Sequence, residues 1–290
     1  MKYVILSNTD NIEPFIIPRQ LLEVNGEPLI KRTIRLLKEN GVKDILVTSH
    51  DKRFDNLGAT RYEPIYNNWK PKEDTGYWVT AFTEELLIEP ITFLFGDVYY
   101  SEKAIKTIVE AETRSILYFC TYQNKDPRYI KHHDEPLAFK VVDYNKFKEH
   151  IQKMKDFKDS GKAPREPIAW ELYRSINNQP LTVHKMTDNY IAINDETCDV
   201  DRVEDIELIK AKIEGGNKMV KVKCIVDYND LELNKLVTTK DDPYIVTNER
   251  ADYLANERGL VEIIEVIPED QPEEKPKAKP KTTFKKAKRK

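Results

Sequence analysis

The sequence predicts an α/β domain built on a mixed, mainly parallel sheet, and three stretches carry that expectation. Residues 91–95 (Ile-Thr-Phe-Leu-Phe) form an apolar run without a charge, rich in β-branched and aromatic types, as expected of a strand buried on both faces. That run ends abruptly in Gly96-Asp97, which places a carboxylate at the strand's carboxyl end, the edge where open α/β sheets bind ligands. Residues 3–6, 28–40 and 44–49 read as strand, helix and strand, a βαβ unit whose right-handed crossover makes the two strands parallel.

Composition sets the bounds. The 290 residues suffice for one sizeable domain and a small second one, and a net charge of −3 with 40% hydrophobic residues describes an ordinary globular chain. Cys120, Cys198 and Cys224 are far apart and lack CxxC spacing, which argues against a zinc site or a disulfide framework. No apolar run approaches 18 residues, so no membrane span and no secretory leader is expected, and a reducing cytoplasm is the expected compartment.

Taken in order, the first strand gives way to a polar segment over residues 7–18. Pro28 is placed to open a helix whose apolar residues Ile30, Ile34 and Leu37 keep helical spacing, and Asn40-Gly41 stops it. Residues 62–87 mix polar and aromatic types. Asp74, Thr75 and Gly76 are candidates for a ligand-contacting loop, whereas Trp78 and Phe82, four apart, read as one buried helix face. Residues 115–122 and 137–142 are further strands. Lys140 within the latter either contacts a phosphate or is a solvated lysine. His132-His133-Asp134 lacks a second ligand cluster and reads as an exposed loop.

The second acidic element is Asp199-Val200-Asp201, just ahead of a helix rich in acids at its start. Asp201 is a candidate cap, and Glu204 and Asp205 suit the helix's positive pole, but Asp199 has no capping role. Asp97 is open between turn former and ligand. Together with Asp199 and Asp201 it could hold one hard divalent cation, since Mg²⁺ accepts one or two carboxylates plus substrate phosphates.

Domain boundaries follow from composition. Residues 1–214 form the main domain, 215–218 (Gly-Gly-Asn-Lys) a linker, 219–267 a small α+β module and 268–290 a disordered tail. From Lys275 to Lys290 that tail carries nine basic residues and no acidic one, which suits an anionic partner such as nucleic acid or a simple solubilising role.

Three pieces then coincide: residues 18–30 (Pro-Arg-Gln-Leu-Leu-x-Val-x-Gly-x-Pro-Leu-Ile), Phe95-Gly96-Asp97-Val98, and Asp199-Val200-Asp201-x-x-Glu204-Asp205. In that order they resemble the nucleotidyltransferase superfamily with its Rossmann-like, three-layer GT-A-type fold, which includes the sugar-phosphate, phosphocholine and methylerythritol-phosphate cytidylyltransferases. The resemblance spans about residues 1–214. It implies transfer of a nucleoside monophosphate from an NTP, CTP or UTP in the first place, to a phosphorylated sugar, alditol or choline-like alcohol, with pyrophosphate released. It further implies that Asp97 and Asp201, with Asp199 in a lesser role, hold Mg²⁺ or Mn²⁺. Arg19, standing where the family usually has lysine, would neutralise the triphosphate; Ser7, Asn8, Thr9, Asp74, Thr75, Gly76 and Gly96 would line the nucleotide.

One departure stands out. The family's Gly-x-Gly-x-Arg type first loop is here Ser7-Asn8-Thr9-Asp10-Asn11, without glycine and with an added acid that repels a triphosphate. Two alternatives therefore accompany the enzyme: a catalytically degenerate scaffold, and a nucleotide-sugar glycosyltransferase. The small module resembles short strand-helix-strand proteins encoded beside phage structural genes, which implies attachment to a large assembly, a virion among them. A homodimer is also an expected partner state.

Overall fold

The structure, a computed structural model, describes residues 1–7, 17–65, 76–122, 134–217, 219–230 and 235–267. The expected roles of Asn8, Thr9, Asp74, Thr75, His132, His133 and the basic tail lie outside those residues. The chain divides into two compact units, Met1–Ile213 and Glu214–Lys290.

The first unit is built on seven strands: β1 (Lys2–Leu6), β2 (Ile45–Thr48), β3 (Thr60–Tyr62), β4 (Ile91–Phe95), β5 (Ile116–Thr121), β6 (Glu135–Val141) and β7 (Tyr190–Ala192). They lie in the order β7-β5-β6-β4-β1-β2-β3, and only β6 runs against its neighbours. Helices cover both faces, so the expected α/β class with a mixed, mainly parallel sheet is what the chain adopts. Every residue of β4 is buried, which is why it reads as one uninterrupted apolar run. β3 and β7, three residues each, were not foreseen; short edge strands hold too few side chains to set a pattern.

Helix α1 (Leu29–Glu39) begins after Pro28, and its apolar stripe of Leu29, Ile30, Ile34, Leu36 and Leu37 is buried. It stops at Asn40, with Gly41 at φ +82°, a left-handed conformation that a side chain resists. Beyond β3, Trp78–Phe82 forms a 3₁₀ helix, with Phe82 fully buried and edge-on to Trp78, Phe93, Phe95, Phe139 and Phe147. Such a hub, worth about 3–5 kcal/mol on truncation to alanine, clamps this segment against the carboxyl half of β4. Helices α2 (Glu102–Glu110), α3 (Tyr144–Asp159) and α4 (Ala169–Ile176) complete the layers.

A satellite core explains how the second acidic element reaches the sheet. Val200, Ile206 and Ile209 pack with Val24, Leu29 and Tyr99, apart from the main core. Helix α5 (Val203–Asn217) supplies two of them and runs on through Gly215 and Gly216, so the expected linker is helical over 215–217. Helix hydrogen bonding carries through a glycine pair at about 1 kcal/mol each.

The second unit is a three-stranded antiparallel sheet of β8 (Met219–Cys224) between β11 (Tyr244–Thr247) and β12 (Val261–Ile267), with a small hairpin of β9 (Tyr228–Asp230) and β10 (Lys235–Val237). Val220, Val222, Val246 and Val261 meet Ala251 and Leu254, which lie in and just beyond helix α6 (Asn248–Asp252), to form its core. The hairpin and β11 were not foreseen; strands of three and four residues are too short to set a pattern.

Candidate functional site

Because β1 and β4 are parallel neighbours, Ser7 and Gly96-Asp97 leave the sheet side by side at its carboxyl edge. The Gly96 N–H donates to the Leu6 carbonyl at 2.9 Å. A Cβ on Gly96 would stand 2.5 Å from Ser7 Oγ, 2.6 Å from the Leu6 carbonyl and 3.1 Å from Gln20 Cγ, so only glycine lets these segments close together. Gln20, fully buried, belongs to the 3₁₀ turn Arg19–Leu21 that Pro18 opens; pinning Gln20 beside Gly96 sends its neighbour Arg19 out over Asp97.

Arg19 is the hinge of the site. Its NH2 lies 3.1 Å from Asp97 Oδ2, and its NH1 donates to Asp201 Oδ1 at 2.7 Å and to the Val200 carbonyl at 3.2 Å. One guanidinium thus joins the two carboxylates that the sequence singled out. The backbone reinforces the pairing, for the Val200 N–H donates to the Asp97 carbonyl at 2.8 Å and Asp199 pairs with Val98 in a two-residue antiparallel ladder. At the start of α5, Asp205 accepts from the Asp201 and Arg202 N–H groups at 2.9 and 2.8 Å, while the Asp201 side chain is engaged by Arg19.

Burial pushes the Asp97 carboxyl above the usual carboxylate range; Arg19 pulls it back, and the like charges of Asp199 and Asp201 push it up again. A further positive charge beside it would draw the carboxyl back down. The donor set is one of hard carboxylate oxygens, suited to Mg²⁺ or Mn²⁺. Two further observations fit a ligand rich in acceptors: among the described residues, the buried Ser7 Oγ and the buried Arg19 Nε have no hydrogen-bond partner. Leaving such groups unpaired costs about 1–3 kcal/mol each, which a polar ligand would recover.

Asp199 has an additional neighbour that sequence reasoning missed. Its N–H donates to Glu135 Oε2 at 3.0 Å, and ligand atoms of Glu135, Cys198 and Asp199 lie within 4.8 Å of one another. Antiparallel β6 brings Glu135, its first residue, to the same edge as Asp97. No spacing rule could find it, because the approach depends on which strand is reversed. Beside it, Asp134 Oδ2 meets His184 Nε2 at 2.9 Å, and the His184 ring abuts Trp170 and Tyr122 with centroids 4.6 and 5.9 Å away.

Lys140 sits elsewhere, and Gly76 is held by a side chain of α3. Lys140 is neither solvated nor near the site: it pairs with Thr92, toward the opposite end of β4, and its buried Nζ donates to the Val109 and Ala111 carbonyls at 3.0 and 2.7 Å. It closes the carboxyl end of α2, the negative pole of that helix. About five residues of strand, or roughly 15 Å, separate Thr92 from Asp97. Gly76 offers its carbonyl to Lys158 at 2.5 Å, and Lys158 also pairs with Glu166, so Gly76 is tied to the end of α3.

No protein-family model and no curated protein matches the sequence. Among solved structures the chain is similar to one from Bacillus anthracis described as a glucose-1-phosphate thymidylyltransferase in complex with a sucrose, at 13% identity over 72% of this chain and 94% of that one, with a TM-score of 0.48. HddC from Yersinia pseudotuberculosis, complexed with GMP-PN, is 15% identical over 73% and 99%, with a TM-score of 0.44. The CTP:phosphocholine cytidylyltransferase LicC from Streptococcus pneumoniae is 17% identical over 73% and 98%, with a TM-score of 0.42.

Proposed function

We propose that the chain is a Mg²⁺-dependent nucleotidyltransferase that passes a nucleoside monophosphate from an NTP to a phosphorylated small alcohol and releases pyrophosphate. The observation that carries this reading is the Arg19 guanidinium set between Asp97 and Asp201 at the carboxyl edge of the sheet. In-line attack on the α-phosphorus asks little covalent chemistry of a protein; it needs alignment and cancellation of charge. Asp97 and Asp201 would hold the metal, which supplies neutralisation of phosphate charge when bound. Arg19 would meet phosphate oxygens as a forked donor, and Ser7 Oγ, buried beside Gly96, would donate a further hydrogen bond. Gly96 keeps the strand tips close enough for the backbone to approach the nucleotide.

The acceptor would stand next to the triphosphate over β5 and β6, where Tyr122, Trp170 and the His184–Asp134 pair form a half-open wall at the same edge. Aromatic faces with a hydrogen-bonding pair suit a hydroxylated ring. Pyrophosphate release from each of four NTPs over a panel of sugar, alditol and choline phosphates tests the proposal. Release with one pairing is the expected result, and its absence with every pairing rejects the enzyme.

A scaffold role for the second unit has one observation behind it. Ile263, Ile264 and Val266 of edge strand β12 stay exposed, an apolar edge that another chain can cover. Deleting residues 219–290 should then abolish co-sedimentation with a large particle; unchanged co-sedimentation counts against it.

A further inference from the structure

Arg19 holds the same carboxylates that a divalent cation would use, and its grip has the features of a partner that can be exchanged. The contacts are single and divergent, NH1 to Asp201 and NH2 to Asp97, instead of a two-pronged bond to one carboxylate. Half of the Asp201 side chain is exposed. Arg19 Nε is buried without a partner among the described residues, so the head group does not reach its full set of hydrogen bonds where it lies. One positive charge shared between two carboxylates leaves a negative excess, which Asp199 increases.

Resting on the nucleotidyltransferase reading, we propose that Arg19 is an exchangeable counter-ion: it competes with a divalent cation for Asp97 and Asp201, and yields them when phosphate oxygens offer the guanidinium a replacement. Phosphate suits this fork at least as well as two separate carboxylates, since it accepts two parallel N–H bonds on one group. The consequence is an ordered site. Metal without nucleotide meets carboxylates already engaged by Arg19, whereas nucleotide draws Arg19 away and leaves both to the metal, so the two ligands bind with positive coupling through one side chain. Lysine, a point charge, could neutralise either carboxylate but not span both with separate nitrogens.

The test is titration of Mn²⁺ alone into the full chain, with free metal followed by its electron paramagnetic resonance signal. Arg19→Gln should bind Mn²⁺ about tenfold more tightly than the unmodified protein, and adding Asp97→Asn to it should erase that gain. An Arg19→Gln affinity equal to or below that of the unmodified protein overturns the exchange. If Arg19→Gln does not melt cooperatively, Arg19→Lys is read in its place, with a gain of about threefold expected and no gain overturning the idea. No nucleotide enters this titration. A gain without pyrophosphate release from any NTP keeps the exchange and rejects the transferase; release without a gain does the reverse.

Discussion

The two ends of the central sheet each hold a cationic side chain in a buried or half-buried position, and they use it in opposite ways. At the amino end of β4, Lys140 gives its donors to two helix carbonyls, Val109 and Ala111, groups that cannot change their charge and have no other use. At the carboxyl end, Arg19 divides one charge between carboxylates that belong to separate segments, each tied down by its own backbone hydrogen bonds, and its Nε has no partner among the described residues. A cation that completes a cap contributes to stability; a cation that crosslinks acids costs stability to assemble, because desolvating three charges can outweigh their attraction. Substitutions at the two ends should therefore separate activity from stability.

The largest effect is expected at Asp97. Asp97→Asn should lower pyrophosphate release by about 10²–10³-fold, the range seen when one charge-stabilising group is removed from a reacting centre. Its urea-unfolding free energy should stay within about 1 kcal/mol of the unmodified protein, because the amide no longer carries a desolvated charge. A loss of stability matching the loss of activity would erase the distinction between the two ends. Next in size is Gly96→Ala, whose new methyl would stand 2.5 Å from Ser7 Oγ and 2.6 Å from the Leu6 carbonyl. Overpacking of that kind costs about 1–3 kcal/mol, and here it should also reduce activity because it pries apart the two strand tips.

At the other end, Lys140→Met should cost about 1–3 kcal/mol, read from the same urea titrations, with activity unchanged, since it strips two buried carbonyls of their donor. The smallest effect is the pH dependence of that difference. Burial lowers the Lys140 amine below its ordinary value of 10.5, with Glu112 opposing. Below that point the unfolded chain holds the proton more tightly than the folded one. The unmodified protein should therefore gain stability relative to Lys140→Met as pH climbs from the lowered value toward 10.5, and hold a constant difference further down. A difference that shrinks on raising the pH through this window would contradict a desolvated lysine.

What could be read from the sequence follows the range of the interactions involved. The apolar run of β4, the α1 stripe between Pro28 and Gly41, and the carboxylates Asp97 and Asp201 announce themselves locally, through periodicity, punctuation and motif order. Glu135, the His184–Asp134 pair and the true place of Lys140 do not, because each depends on β6 running against its neighbours, which reverses which end of that strand meets the carboxyl edge. The part played by Asp201 was hidden for a subtler reason: an acid just ahead of a helix reads as a cap, whereas Arg19, brought up by a turn far away in the chain, engages it here. Lys140 alternating with apolar neighbours looks solvent-facing until α2 is laid over that face.

If Arg19, Asp97 and Asp201 form the metal-assisted nucleotide site proposed above, calorimetric titration of each NTP with Mg²⁺ into the unmodified protein and into Asp97→Asn will separate the two. At least one NTP should bind the unmodified protein with a dissociation constant below about 1 mM, or roughly 4.1 kcal/mol of binding free energy, and lose that binding in Asp97→Asn. Failure of every NTP to bind, or binding indifferent to Asp97, would contradict it.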